Sequence, residues 1–228
     1  MIQISDLTFS WPGQSNPTLQ IKDLQIKTGE RLFLHGPSGS GKSTLLSLLA
    51  GIQCAQQGNI KILNEDLSAL NDAKRDKFRA DHIGTIFQNF NLLPYLSPID
   101  NVVLGCNFSK RRQANLKTEG ATATSQATRL LDELGLDKNT QHRAVNELSI
   151  GQQQRVAAAR AFIGRPEFII ADEPTSALDA DNRDIFIRQL FEQAQQYQAT
   201  ILFVSHDASL APLFDRKVSL ADINGASL

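Results

Sequence analysis

The nonapeptide "GPSGSGKST", Gly36 to Thr44, holds the residues whose spacing most clearly implies chemistry. It matches G-x-x-x-x-G-K-[ST] between an apolar strand-like run and an apolar helix-like run, the context the motif requires. Gly36, Gly39 and Gly41 let the backbone curl around Pro37, Ser38 and Ser40, so that several amides face one point. A helix opening near Lys42 adds its positive end, which makes a nest for β- and γ-phosphates. Lys42 contributes a point charge, and the hydroxyl of Ser43, next to Thr44, is placed to take a position on Mg²⁺. A plain glycine-rich turn would explain neither the lysine nor the hydroxyls. The run "FIIADEP" ends in Asp172, a carboxylate suited to Mg²⁺, followed by Glu173, suited to orienting a water as general base. "LFVSHD" ends a further apolar run and offers His206 near the γ-phosphate.

These groups need a scaffold that brings strand ends to one edge. "MIQISDLTF" and "TLQIKDLQI" alternate apolar and polar residues around the turn-rich "WPGQSNP", which predicts an antiparallel pair. "RLFLHG", "IGTIF", "EFIIADEP" and "ATILFVSHD" are short apolar runs suited to parallel strands covered on both faces. "KSTLLSLLAG" and "DADNRDIFIRQLFEQAQQY" supply helices between them. The expected fold is α/β: a P-loop nucleoside-triphosphatase core with a mostly parallel sheet, an antiparallel β subdomain and an inserted helical lobe at 89–160. One domain would span 1–228. Within the lobe, the polar stretch 107–125 reads as a mobile loop, and Lys110-Arg111-Arg112 as a solvated cluster on it.

Composition narrows the function. Hydrophobic residues make up 41% and charged residues 21%, the balance of an ordinary globular domain, and the formal net charge of −1 argues against coating nucleic acid. No apolar run approaches the roughly 18–20 residues needed to span a bilayer. The N-terminus lacks the basic and apolar regions of a signal peptide. Cys54 and Cys106 have no metal-ligand spacing, which fits a reducing cytosol. The sequon-like Asn107-Phe108-Ser109 then reads as chance.

"NELSIGQQQRVAAARA", from Asn146, poses a separate question. Ser149 and Gln152 have the spacing of a capping box, with the helix running to about Ile163 before Gly164 and Pro166. The alternative is a bare helix N-terminus kept for an anion.

In this order the motifs resemble the ATP-binding subunits of ABC transporters over essentially the whole chain: the loop 36–44, "FQ" at Phe87-Gln88, "LSIGQ" at 148–152, "ADEP" at 171–174, "SALD" at 176–179 and His206. "HIGTIFQNFNLLPYLSPIDNV" and "QQQRVAAARAF" are most similar to the lipoprotein-release and macrolide-export branch. The resemblance implies that Gln88 touches Mg²⁺ and the attacking water, and that Trp11 stacks on adenine where relatives usually carry tyrosine. It implies that Ser149, Gly151 and Gln152 cap the γ-phosphate of ATP held by a second copy, with Asp179 at the same interface. The partners expected are therefore a second copy and an integral membrane permease docking near 89–105, with Leu92, Leu93, Tyr95 and Leu96 in the docking segment. The chain would work on the cytoplasmic face of the inner membrane, driving export or extraction of a substrate, or alternatively regulating a membrane partner as the cell-division relatives do. Ile150 departs from the glycine usual in the family, and a β-branched residue there predicts crowding against the partner's phosphate loop.

Overall fold

In the computed structural model, which describes residues 1–226, strand β1 (Ile2–Phe9) pairs antiparallel with β2 (Leu19–Ile26), from Ile2 opposite Ile26 to Phe9 opposite Leu19. This is the pair that the alternation predicts. The alternation itself slips once. Asp6 has φ 49 and the register shifts between Ser5 and Thr8, so Ile2, Ile4, Leu7 and Phe9 all point into the core despite the odd spacing. Strand β3 (Arg31–His35) leads into α1 (Lys42–Leu49), and Gly51 follows that helix with φ 66. β4 (Gln57–Ile62) and β5 (Glu65–Asp66) complete a four-stranded sheet in the order β2-β1-β4-β5, and α2 spans Asp72–His82.

β6 (Ile83–Ile86) precedes four helices: α3 (Pro98–Asn107), α4 (Lys110–Thr118), α5 (Ala123–Glu133) and α6 (Ile150–Phe162). Then come β7 (Phe168–Asp172), α7 (Ala180–Tyr197), β8 (Thr200–Val204), β9 (Arg216–Ser219) and α8 (Leu220–Ile223). The chain forms two units, one of residues 1–79 with 200 onward, the other of residues 80–199.

In the first unit β3 runs parallel to both β8 and β9. Phe33, Phe203 and Phe214 cluster with ring centroids 4.9–6.2 Å apart, and all five residues of β8 are buried. In the second unit β6 and β7 are parallel, with Ile83 opposite Phe168 and Ile86 opposite Ala171. Helix α6 packs against β6 at backbone distance: a Cβ on Gly84 would lie 2.1 Å from the Ala161 carbonyl oxygen. Ala127, Leu130, Leu131 and Leu134, the helical stripe read from the sequence, are fully buried, each leucine worth about 1.5–3 kcal/mol.

The expected mobile loop at 107–125 instead contains the whole of α4 and the start of α5, both capped. Ser109 caps α4 through the Arg112 amide, and Thr122 with Ser125 forms a capping box on α5. Nor is the basic cluster solvated throughout. Lys110 is exposed and Arg111 pairs with Glu167, but Arg112 is only 3% exposed. Its Nη1 and Nη2 donate to the carbonyls of Ile163 and Ile83, at 3.2 and 2.6 Å. Burial pulls its pKa down to about 10. The polar composition of α4 hid a helix whose anchors are distant backbone carbonyls.

Candidate functional site

The phosphate-loop residues lie where β3 hands over to α1. Gly39 and Gly41 take φ 81 and 97, conformations closed to most other residues. Gly41 is the N-cap of α1 and supplies no side-chain bond, so the first amides of that helix have no side-chain cap and its positive end suits an anion. Lys42 Nζ bridges the Gly36 and Pro37 carbonyls at 2.7 and 2.9 Å, which folds the lysine back over the loop. Pro37 and Ser38 are exposed, as is Ser43, while Ser40 and Thr44 are buried. The buried Ser40 Oγ has no hydrogen-bond partner, an orphan polar atom inside the cradle. Trp11 stands at the rim: its Nε1–H donates to Thr44 Oγ1 at 3.3 Å and its ring meets Phe9 edge-on at 5.1 Å. The indole remains about one-third exposed, so it is tethered to the loop without being buried. His206 is exposed two residues beyond the end of β8, and Leu34 lies opposite Val204. The parallel register therefore brings the loop and His206 to one sheet edge.

The second unit makes a comparable edge. Ile86 lies opposite Ala171, so Gln88 follows β6 where Asp172 and Glu173 follow Ala171. Gln88 is exposed; Asp172 and Glu173 are half-buried. Glu173 has φ 47, a left-handed backbone that turns the chain sharply off the strand. The three side chains expected at the chemistry from this half of the chain therefore share an edge.

The opening of α6 is capped from within. Ser149 Oγ accepts from the Gln152 amide at 3.3 Å, and Gln152 Oε1 accepts from the Ser149 amide at 2.9 Å. Ser149, Ile150, Gly151 and Gln152 line a cavity of about 330 Å³ together with Arg155, Leu178 and Asp179. Asp179 caps α7: the Asn182 amide and carboxamide each donate to it at 2.9 Å, and these bonds hold its carboxyl below the usual range. Gln88, Asp172 and Glu173 do not line this cavity. Ile150 is 55% exposed, so its side chain stands outside the core.

The segment after Gln88 contains a residue that sequence reasoning missed. Asn101 is fully buried on α3, where its Oδ1 accepts from the Leu93 amide at 2.8 Å. Its Nδ2 faces the Leu93 and Ser97 carbonyls at 3.0 and 3.1 Å. The amides of Val145 and Asn146 donate to Leu96 and Pro94, which fastens this segment to the chain just ahead of Ser149. The apolar spacing of α3 gave no signal for it, because Asn101 stands one and two positions from Val102 and Ile99, off the face that those two share. Leu93 and Tyr95 are exposed, Tyr95 at 72%, while Leu92 and Leu96 are half-buried.

Among the described residues no group of three or more His, Cys, Asp or Glu could hold a metal ion by itself, and no helix is long and apolar enough to cross a membrane. Fold and loop together define an α/β nucleotide-binding protein of the P-loop class. The chain belongs to the ABC transporter family, whose model matches residues 19–176. It is 41% identical over 204 residues to YbbA, an ABC transporter ATP-binding protein of Escherichia coli (strain K12), covering 89% of this chain and 85% of that one. It is 42% identical over 200 residues to the lipoprotein-releasing system ATP-binding protein LolD of Cytophaga hutchinsonii, covering 88% of each. The macrolide export ATP-binding/permease protein MacB of Rhodopirellula baltica is 36% identical over 206 residues, which are 90% of this chain but 29% of that protein. Among solved structures, the dimeric post-hydrolysis state of the cassette MJ0796 bound to ADP and Pi matches with TM-score 0.84 and 33% identity. The match covers 96% of this chain and 94% of that one. The chain is thus an ATP-binding subunit of the LolD/MacB type and a member of an ATPase family.

Proposed function

We propose that the chain hydrolyses ATP as a homodimer and drives a separate membrane subunit that exports or extracts a substrate. On this reading residues 1–228 act as one ATPase domain, with 89–160 as its helical lobe. The observation that carries the proposal is the contrast between two helix starts. Helix α1 begins bare behind a glycine cradle, whereas α6 begins capped and lines a cavity without the chain's own Glu173.

The amides of 36–44 and Lys42 bind the phosphates, and Trp11 stacks on the base. Ser43, Gln88 and Asp172 offer the hydroxyl, amide and carboxylate oxygens that Mg²⁺ takes, and this all-oxygen donor set fits a hard cation. When bound, Mg²⁺ neutralises charge on the phosphate oxygens. Glu173 orients the attacking water and takes its proton, Gln88 contacts the same water, and His206 addresses the γ-phosphate. Ser149, Gly151 and Gln152, with Asp179 beside them, face ATP held by the second copy. The dimeric state of the MJ0796 cassette supports this part. Exposed Leu93 and Tyr95 on the 89–105 segment form the contact for the membrane subunit, on the cytoplasmic face of the inner membrane. Closure on ATP and opening after hydrolysis then shift the partner between two states.

Glu173→Gln tests the core of the proposal. It should retain ATP binding, accumulate an ATP-bound dimer by gel filtration and slow turnover by roughly 10²-fold or more, the scale of a lost general base. Turnover at the wild-type rate would remove Glu173 from the chemistry. Co-purification from native membranes tests the partner, and failure to recover an integral membrane protein would leave transport without its basis.

A further inference from the structure

The chain leaves β6 through a turn with costly backbone geometry. Phe90 and Asn91 have φ 57 and 51, two consecutive left-handed residues, neither of them glycine. Asparagine tolerates this region, but a bulky aromatic residue rarely enters it. The Phe90 amide donates to the Phe87 carbonyl at 2.9 Å, and the Asn91 amide to Asn89 at 2.6 Å. Local bonds of this kind leave the carbonyls of 90 and 91 needing donors.

Arg160, in the last turn of α6, supplies them. Its Nη2 donates to the Phe90 carbonyl and its Nη1 to the Asn91 carbonyl, each at 2.5 Å, so the planar guanidinium grips both peptide groups as a fork. Burial alone lowers the pKa of Arg160, with no carboxylate among the causes, so the charge is directed at backbone rather than an ion pair. Arg160 is half-buried, and even partial withdrawal of a guanidinium from water for two carbonyls costs free energy. Gln88 lies two positions ahead of Phe90 in the 87–91 turn and is exposed, as are Phe87, Asn89 and Asn91.

We propose that Arg160 is a positioning residue for ATP hydrolysis: its fork locks the 87–91 turn in the left-handed conformation and so fixes the direction in which Gln88 presents its carboxamide. The proposal rests on the reading of Gln88 as a contact of the attacking water. A lysine at 160 would keep the charge and the aliphatic stem but could not bond both carbonyls in one plane.

The test is a double-mutant cycle on the full chain with steady-state ATPase kinetics, using Arg160→Lys, Gln88→Ala and the pair. Arg160→Lys should lower kcat about 10-fold and leave KM for ATP within about twofold, because orientation rather than binding is lost. In the Gln88→Ala background the same substitution should change kcat less than about twofold, since the group it positions is gone. Phe90→Gly, which takes positive φ without strain, should return part of the kcat lost in Arg160→Lys. Unchanged kcat in Arg160→Lys would overturn the proposal. So would equal losses in both backgrounds, which would mark a structural role, or a Phe90→Gly variant that recovers nothing. If Gln88→Ala alone kept wild-type kcat, the Gln88 assignment would fail first and carry this inference with it. A thermal melt of each variant separates these outcomes from loss of fold.

Discussion

Gly39→Ala and Gly41→Ala, compared side by side, test whether the phosphate cradle is a backbone conformation or only a composition. Both residues are left-handed, at φ 81 and 97, so both substitutions carry the cost of an L-residue there, about 1–2 kcal/mol. They differ in surroundings. A Cβ at 39 would meet no atom within 4 Å, whereas one at 41 would lie 2.8 Å from Leu19 Cδ2 and 3.5 Å from the Thr18 carbonyl oxygen. Leu19 is fully buried in β2 and cannot swing clear, so overpacking adds about 1–3 kcal/mol at 41 only. Unfolding free energies from urea titrations at constant slope should therefore fall by about 1–2 kcal/mol for Gly39→Ala and about 2–5 kcal/mol for Gly41→Ala. Nucleotide gives the functional arm. Wild-type protein at a hundredfold excess of ATP over its Kd should gain about 2.7 kcal/mol. Each variant should lose most of that gain, because relaxing the strained residue turns loop amides away from the phosphates. Equal stability of the two variants would refute the backing of the loop by Leu19. Full retention of the ATP increment in both would refute the cradle itself.

Three further outcomes are expected. Gly84→Ala should destabilise by more than about 3 kcal/mol in urea, because the new methyl would meet the Ala161 carbonyl, which is helix backbone and cannot yield; a mild effect would contradict the close approach of α6 to β6. Ile150→Gly should change the melting temperature little, since Ile150 is exposed, yet strengthen ATP-driven dimerisation in sedimentation runs on the Glu173→Gln background. Equal dimerisation would show that the isoleucine is accommodated without cost. Glu167, just ahead of β7, is pushed up by burial but held below 4.5 on balance by His82, at 2.9 Å, and by Arg111. Because the folded pKa is the lower one, its stabilisation is complete above the unfolded value and disappears as pH falls through the folded value. Glu167→Gln should therefore flatten the loss of stability below about pH 4.5, and identical acid slopes for the two proteins would remove this linkage.

The sequence by itself determined the class of protein and the strand-to-helix context of its loop. Gly39, Gly41, Lys42 and Ser43 are local in chain, and the conformations they need follow from residue type. The helical stripe Ala127, Leu130, Leu131 and Leu134 was legible for the same reason, because periodicity along one helix reports which face is buried. It also posed the question at Ser149 and Gln152, whose spacing forecasts the cap that α6 carries.

What tertiary structure decided lies where a residue's partner is far away in sequence. Residues 107–125 looked too polar to order, yet Arg112 reaches Ile163 and Ile83, 51 and 29 positions distant, and α4 is held by those carbonyls. Arg160 sits in an alanine-rich helix with no local sign that its targets are Phe90 and Asn91, 70 and 69 positions earlier. Backbone carbonyls carry no residue identity, so a side chain that binds them leaves no partner motif to read. The family of the chain was therefore visible in its letters, whereas the fork of Arg160 on the carbonyls of Phe90 and Asn91 appeared only once a distant turn and helix were folded together.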